Sequence, residues 1–223
     1  MKLRFVSAGA AQAAVRERAA RDGIEVEGSF GAVGAMLEKF GSGEPCDIVI
    51  LTRAQIEELA SMGGIVASGI TDLGAVPTAI AVRDADPAPR ITDGESLRAA
   101  LLDADEIYFP DPAKATAGIH FDKVLRTLGI RDRVAGRMRT FPNGAAAMRA
   151  MAQSSGHPIG CTQATEIEAT PGVRLAAALP PAFALATMYT GAVSARASDR
   201  DAAARFLSSL ASSLRAHPPI APG

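Results

Sequence analysis

Four short stretches of small residues stand where a predicted strand passes into a predicted helix. A helix that begins at such a junction directs its first backbone N–H groups, which have no partner inside the helix, toward whatever lies beyond the strand. Four junctions of one kind predict a cleft that holds a small anion or carboxylate through backbone groups. The candidate contacts are Ser7, Ala8 and Gly9; Ser29, Phe30, Gly31 and Ala32; Thr116, Ala117 and Gly118; and Asn143 and Gly144.

Polar side chains near the junctions are further candidates for ligand binding. Arg53 follows a predicted buried strand and could hold a carboxylate in bidentate fashion, although an arginine at a helix start is more often solvated. Thr162 and Gln163 follow another strand; the Gln163 amide could donate to a carboxylate, or the residue could simply begin a helix. Tyr189 could reach the cleft or pack in the hinge. The Ser7 hydroxyl could bind the ligand or be satisfied by backbone.

His120 is the candidate for proton transfer. It falls in the first turn of the helix that follows the third junction, where the helix N-terminus favours a neutral imidazole. A neutral imidazole beside a bound carboxylate could act as a general base. The alternative interpretation is a surface or interlobe histidine without a chemical role.

The composition bounds the class of protein. A chain of 223 residues, 48% of them hydrophobic, can form two small α/β lobes. Its net charge of −1 gives no general attraction to nucleic acid or to an anionic membrane. The sequence has no phosphate-binding loop, no nucleophile elbow and no metal-ligand spacing of His, Cys and carboxylates. We therefore predict a local site for a small anionic molecule, with no cofactor and no metal.

Apolar runs and the start of the chain bear on its location. No stretch approaches the roughly 18 apolar residues that cross a bilayer, so membrane insertion is not expected. No apolar leader precedes the first predicted strand, which begins at Lys2. As written, the sequence predicts a cytoplasmic protein, or a periplasmic one if a leader was removed.

The first half of the chain alternates strands and helices, which favours parallel strands with helices on both faces. The predicted elements there are strands at 2–6, 24–28 and 47–51 and helices at 11–21, 31–40 and 53–62. The second half has strands at 78–82, 106–109 and 159–162, helices at 96–102, 117–128, 143–152 and 199–214, and an extended segment at 180–194. We predict two lobes, 1–76 plus 190–223 and 77–189, with crossings near 73–79 and 183–190.

Several motifs occur in a fixed order along nearly the whole chain. They are Phe5-Val-Ser-Ala-Gly9, the Ser29-Phe30 turn, Pro45-Cys-Asp-Ile-Val-Ile50, Asp111-Pro-Ala-Lys-Ala-Thr-Ala-Gly118, Leu125-Arg-Thr-Leu-Gly129, Asn143-Gly-Ala-Ala146 and residues 202–210. This ordered set resembles the molybdate-binding proteins, a branch of the type 2 periplasmic substrate-binding proteins. The resemblance implies two α/β lobes, each with a mostly parallel sheet flanked by helices, and an oxyanion held in the cleft between them by hydroxyls, backbone N–H groups and a tyrosine.

The sequence departs from the ligand contacts that this resemblance implies. The serine of the first junction falls on Gly9, that of the second on Ala32 or Val33, and the tyrosine near Gln163, while the third-junction alanine is kept as Ala117 and the fourth contact falls near Gly144. Each lost hydrogen bond to a charged group costs roughly 1.5–3 kcal/mol. We therefore expect a larger, flatter organic carboxylate rather than molybdate.

Two functions from different classes follow. The first is a solute-binding protein that holds a small organic anion and, if exported, presents it to the permease of an ABC transporter. The second is an enzyme on the same scaffold, similar to aconitate isomerase, in which the junctions clamp the carboxylates and His120 moves a proton to shift a double bond. Binding alone satisfies the first, whereas the second requires exchange of a C–H proton.

Overall fold

The computed structural model describes residues 1–214. The chain divides into two compact units, which we call unit 1 (residues 1–76 and 187–214) and unit 2 (residues 77–186). Each unit is a mostly parallel sheet flanked by helices, as in the type 2 periplasmic-binding-protein fold. The part of the predicted first lobe at 215–223 lies outside the described residues.

Unit 1 is built on three parallel strands, each followed by a helix. Its elements are β1 (Lys2–Ala8), α1 (Gln12–Arg21), β2 (Glu25–Gly31), α2 (Val33–Gly41), β3 (Ile48–Thr52) and α3 (Arg53–Ser61). β1 pairs in parallel with β2 on one side and β3 on the other. The chain returns in β9 (Ala186–Ser194), antiparallel to β3, and continues into α8 (Arg200–Ser209).

The core of unit 1 follows from the apolar positions of these strands. Phe5 is fully buried and meets Phe206 of α8 edge to face at 5.7 Å between ring centroids. It also stacks on Phe30 of β2 at 6.2 Å. These contacts fix α8 and β2 against β1.

A buried carboxylate ties β1 to the segment before α8. Asp47 accepts hydrogen bonds from Arg4 Nε at 3.0 Å and Nη2 at 2.9 Å, and from Ser198 N at 2.9 Å and Oγ at 3.0 Å. Burial raises the pKa of Asp47, but these donors outweigh burial and hold the pKa well below its usual range. The ionised Asp47 carboxylate therefore joins β1 to the segment that precedes α8.

Unit 2 repeats the same plan. The long strand β4 (Ile65–Arg83) runs into it and is followed by α4 (Gly94–Asp103), β5 (Glu106–Pro110), α5 (Thr116–Thr127), β6 (Met138–Phe141), α6 (Gly144–Met151), β7 (Pro158–Gln163), α7 (Ala164–Glu168) and β8 (Val173–Ala178). β5 lies between β6 and β7 and is parallel to both. β4 pairs antiparallel with β7 and with β8.

One face of the unit 2 sheet is covered by α4 and α5. Ile80 of β4, Phe109 of β5 and Cys161 of β7 share a buried cluster with Phe121 and Leu125 of α5. Phe109 and Phe121 meet edge to face at 5.3 Å between ring centroids. Residues two positions along a strand lie on the same face, so Thr78 of β4 and Gln163 of β7 lie on the face that α5 covers.

The structure differs from the sequence prediction mainly in strands that lack an apolar run. β4 begins at Ile65 rather than at residue 78, and its added part alternates buried and exposed positions. β6 is a short edge strand with exposed Arg139 and Thr140, and neither it nor β8 was predicted, whereas Gln163 precedes the short helix α7, as the alternative for that residue stated. The predicted helix at 199–214 is shorter, at Arg200–Ser209.

Candidate functional site

Three helices of unit 1 begin at one edge of its sheet. β1, β2 and β3 are parallel neighbours, with Ala8 opposite Gly31 and Ser7 opposite Ile50, so their carboxyl ends are level. A single 3-10 turn at Gly9–Ala11 precedes α1, and α2 and α3 follow their strands directly. Ligands of open α/β sheets bind outside the carboxyl ends of the strands. The predicted residues Ala8, Gly9, Gly31 and Ala32 all lie at this edge.

The helix starts at this edge have no side-chain caps. Ala8 precedes the turn before α1 and Ala32 precedes α2, and neither side chain can accept a hydrogen bond. Thr52 precedes α3, but its hydroxyl donates to Gln55 Oε1 at 2.8 Å instead of capping the helix. Two helices that begin away from this edge are capped, α4 by a capping box on Asp93 and α8 by Asp199. Small uncapped residues therefore coincide with the edge where a ligand would bind.

The predicted serines of unit 1 bind groups of the chain itself. Ser7 is fully buried and donates to the Ala8 carbonyl oxygen at 3.0 Å, which is the backbone alternative weighed from sequence. Ser29 donates to Glu44 Oε1 at 2.6 Å and accepts from Lys39 Nζ at 2.7 Å. Backbone N–H groups, rather than these hydroxyls, are thus the donors that unit 1 offers at its edge.

Two uncharged aromatic residues, Phe30 and Tyr189, lie near the carboxyl ends of the unit 1 strands. Phe30 is half-buried, with the Arg16 guanidinium 5.3 Å above its ring. Tyr189 is buried in β9 directly opposite Thr52, at the carboxyl end of β3. Both were predicted as ligand contacts, and both remain predictions.

Arg53 is held by two carboxylates. Its Nε donates to Glu57 Oε1 at 2.9 Å and its Nη1 to Asp72 Oδ2. Asp72 Oδ1 also accepts from the buried Thr190 hydroxyl at 2.8 Å. About half of the Arg53 side chain is exposed, so a ligand carboxylate would compete with these partners for the guanidinium.

Unit 2 has a comparable edge, where β5, β6 and β7 end. Pro110 lies opposite Phe141, and the Asp111 N–H donates to the Phe141 carbonyl oxygen at 2.7 Å. α5 follows β5 with Ala115 before it and no side-chain cap. A Cβ on Gly118 would overlap the Pro110 and Asp111 carbonyl oxygens, so the first turn of α5 packs tightly on the end of β5.

Thr78 joins Gln163 beside the start of α5. The two residues are directly opposite in the β4–β7 pair, on the face of Ile80 and Cys161 that α5 covers. Both side chains are buried. Among the described residues, the Thr78 hydroxyl oxygen has no hydrogen-bond partner. Buried polar atoms are normally paired, which makes Thr78 a candidate ligand contact beside the predicted Thr116, Ala117, Gly118 and Gln163.

The fourth predicted junction is occupied by the chain itself. Asn143 Oδ1 accepts from the Ala146 N–H at 2.9 Å and caps α6. The Thr162 hydroxyl donates to Glu166 Oε2 at 2.7 Å. A Cβ on Gly144 would overlap that carboxylate, so Glu166 lies directly against the start of α6. Asn143, Gly144 and Thr162 are thus brought together, but around an internal carboxylate.

His120 lies one turn into α5 and binds a backbone carbonyl. Its Nε2 is 2.7 Å from the Phe183 carbonyl oxygen. A carbonyl oxygen only accepts, so Nε2 carries the proton of this bond. Nδ1 is consequently the nitrogen that could receive a proton from a substrate.

Thr78 and Glu166 are the site residues that the sequence did not reveal. The sequence predicts only that a strand starts at Thr78. The position of its buried hydroxyl opposite Gln163 depends on the antiparallel pairing of β4 with β7. Glu166 lies in α7, the short helix that follows Gln163, and no sequence motif singled it out. The spacing of four between Thr162 and Glu166 around a strand end was the available signal for the latter.

Residues 1–214 contain neither a cluster of metal ligands nor a membrane-spanning helix. No group of three or more His, Cys, Asp or Glu side chains there could hold a metal ion. No helix there combines the length and the apolar character needed to span a bilayer.

Comparison with known proteins identifies relatives over nearly the whole chain. A family model described as bacterial extracellular solute-binding protein matches residues 3–214. The aconitate isomerase of a Pseudomonas species is 26% identical over 182 residues, which cover 80% of this chain and 66% of that protein. This chain therefore corresponds to just under two thirds of that relative's length.

Solved structures show the same fold at lower sequence identity. The periplasmic molybdate-binding protein of Azotobacter vinelandii superposes with a TM-score of 0.72 at 18% identity, covering 93% of this chain and 92% of that one. The L-phospholactate-bound protein PEB3 gives a TM-score of 0.63 at 17% identity, covering 93% and 92%. These likenesses establish the type 2 periplasmic-binding-protein architecture.

Proposed function

This chain belongs to the family of bacterial extracellular solute-binding proteins, and from that premise we propose that it binds a small organic carboxylate through backbone N–H groups. The observation that carries the proposal is the coincidence of uncapped helix starts with the carboxyl ends of parallel strands in each unit. The donors are the turn before α1 and the starts of α2 and α5. A helix N-terminus favours an anion by roughly 0.3–1 kcal/mol, and more when partly buried.

The side chains support a carboxylate over a tetrahedral oxyanion such as molybdate. Ser7 and Ser29 donate to acceptors of their own unit, and Gly9 and Ala32 have no hydroxyl. In unit 2, Thr78 and the amide of Gln163 lie beside α5. Few hydroxyls and several backbone donors suit planar carboxylate oxygens, whereas a tetrahedral dianion needs more donors around it.

We propose that each unit offers its uncapped helix starts to a ligand carboxylate and that the loaded protein serves an ABC transporter permease. Two charge substitutions test the first part. Ala32→Asp and Ala115→Asp each place a carboxylate at the start of one helix, which caps the helix and repels an anion. Asp93→Ala is the control, because it removes the cap of a helix away from either edge.

The experiment is calorimetric titration with citrate, trans-aconitate, acetate, sulfate and molybdate. Citrate or trans-aconitate should bind the unmodified protein best, and each Asp variant should weaken that binding by about tenfold or more, since 1.4 kcal/mol corresponds to a factor of ten. Asp93→Ala should bind normally. Strong molybdate binding, or full carboxylate affinity in either Asp variant, would overturn the proposal.

A second candidate function is isomerisation of an unsaturated carboxylate by proton transfer, which is favoured by the similarity to aconitate isomerase. The chain would hold the carboxylates at the helix starts, and His120 Nδ1 would remove a proton from the carbon next to the double bond and return it at the other end of the allyl system. The Nε2 bond to Phe183 would hold the ring in place.

Deuterium exchange separates the two candidates. An isomerase should exchange C–H protons of trans-aconitate with heavy water, and His120→Gln should abolish exchange while trans-aconitate still binds. His157→Gln is the control, because His157 is exposed in the turn before β7. Binding without any exchange would leave the solute-binding function alone.

A further inference from the structure

Glu166 is a buried carboxyl group enclosed by hydrogen-bond donors. Its Oε2 accepts from the fully buried Thr162 hydroxyl at 2.7 Å. Backbone N–H groups of Ala145, Gln163 and Gly144 also act on the carboxylate. Burial raises the pKa of Glu166 above its usual value, although these donors oppose that effect. The Glu166 carboxyl group is thus surrounded by one hydroxyl donor and several backbone N–H donors.

The start of α6 is consequently complete without a ligand. Helices leave their first N–H groups without partners inside the helix. In α6, Glu166 takes the N–H groups of Gly144 and Ala145, and the Asn143 side chain takes that of Ala146. The approach depends on Gly144, because a Cβ there would overlap Glu166 Oε2 and the Thr162 hydroxyl.

The neighbouring helix start is different. α5 and α6 follow the adjacent parallel strands β5 and β6, yet α5 has alanine before it and no side-chain cap. The buried Thr78 hydroxyl, on the face that α5 covers, has no partner within residues 1–214. One helix start of this sheet edge is therefore filled by a carboxylate of the chain and the next is not.

We propose that Glu166 is a specificity-determining residue that supplies, from within the chain, the negative group that α6 would otherwise take from a ligand. It thereby limits unit 2 to one ligand carboxylate, at α5. This inference rests on the proposed function, because it assigns α5 to the ligand and removes α6 from the ligand's donors.

Formate is the probe that tests the filled position, because it has the size of the carboxyl group that Glu166→Ala removes. Formate should raise the melting temperature of Glu166→Ala by clearly more than that of the unmodified protein, of Glu166→Gln or of Glu168→Ala, an exposed control on the same helix, because only Glu166→Ala adds a vacant carboxylate position at α6. Folding of Glu166→Ala only in formate would be the same result in stronger form. An equal effect of formate on all four proteins would overturn the inference. If Glu166→Ala does not fold even in formate, Glu166→Ser replaces it in both measurements.

The specificity claim has its own measurement. Glu166→Ala should gain affinity for citrate relative to acetate by about tenfold or more, as expected for one recovered carboxylate contact. Glu166→Gln, whose amide oxygen still fills the α6 donors, should keep the original ratio. Formate rescue with an unchanged ratio would overturn the claim and leave Glu166 as a structural cap.

The two proposals fail in distinguishable ways. If Ala115→Asp leaves carboxylate binding unchanged, the ligand is not at α5 and the proposed function fails, whatever formate does. If Ala115→Asp weakens binding while formate rescues nothing, the proposed function stands and the role of Glu166 fails.

Discussion

Two buried carboxyl groups of this chain have different roles: one stabilises the fold, and the other occupies a position that a ligand could take. Asp47 and Glu166 are both buried carboxyl groups, but burial and donors balance differently around them. The guanidinium of Arg4 keeps Asp47 ionised, whereas Glu166 has backbone and hydroxyl donors and no cation among its hydrogen-bond partners named above. Asp47 therefore stabilises the packing of unit 1, and Glu166 occupies the position at α6 that a ligand anion would otherwise take.

Asp47→Asn should destabilise unit 1. The substitution removes the charge that Arg4 and Ser198 bind, which costs about 1.5–3 kcal/mol of unfolding free energy for charge-assisted hydrogen bonds. Because the pKa of Asp47 is lowered in the folded protein, its contribution is full above the ordinary Asp pKa of about 3.9 and is lost as the pH falls below it. Urea unfolding at pH 7 and pH 3 measures both effects.

Asp22→Asn is the matched control for this measurement. Asp22 forms a surface pair with Arg18 on α1, and such pairs contribute less than about 1 kcal/mol. The gap between Asp47→Asn and the unmodified protein should shrink at pH 3. A gap that is as large at pH 3 as at pH 7 would show that Asp47 does not act through its charge.

Gly144→Ala should destabilise unit 2 by about 1–3 kcal/mol, the usual cost of forcing atoms into a filled space. The new Cβ would overlap Glu166 and Thr162 and push the carboxylate from the start of α6. In Gly136→Ala the added Cβ meets nothing within 4 Å, so thermal unfolding should change little. Equal stability of the two variants would contradict the close approach of Glu166.

At the scale of elements, the sequence predicted the helices and buried strands well because their apolar positions repeat with a clear period. The strand at 106–109 differs from β5 by one residue at one end, and the strand at 47–51 and the helix at 117–128 differ from β3 and α5 by one residue at each end. The half-exposed part of β4 and the exposed strand β6 have no such run. They are strands because neighbouring strands pair with them, which a single sequence does not encode locally.

The candidate site was predicted in part for the same reason. Small residues at Gly9, Ala32 and Ala117 are visible in the sequence, and the structure places them at helix starts on sheet edges. The partners of Ser29 and Asn143 depend on side chains and helix geometry that spacing does not define. Thr78 required the pairing of β4 with β7.

Ala115→Ser should stabilise the start of α5 and weaken ligand binding there. A serine at this position can cap the helix, which stabilises it by about 0.5–2 kcal/mol, and it occupies N–H groups that we assign to a ligand. The melting temperature without ligand should rise and the affinity for citrate should fall. Asp93→Ala should lower the melting temperature by a similar free energy without changing citrate affinity. A rise in both stability and affinity for Ala115→Ser would contradict the assignment of α5.

At the scale of the whole molecule, the two units are two versions of one arrangement. Each has three parallel strands whose carboxyl ends lead into helices. Unit 1 leaves its helix starts without caps, and unit 2 fills one of its own with Glu166. When different groups fill the helix starts of one arrangement, a protein can change its ligand without changing its fold.

The most direct test of backbone anion binding is a titration of the ¹⁵N-labelled protein with citrate, followed by the amide signals in heteronuclear NMR spectra. We expect the N–H signals of Gly9, Val33 and Ala117 to shift and saturate with added citrate, while those of Gly144 and Ala145 stay in place. Shifts confined to exposed lysines and arginines, or no saturable shift at the starts of α2 and α5, would contradict anion binding by these helices.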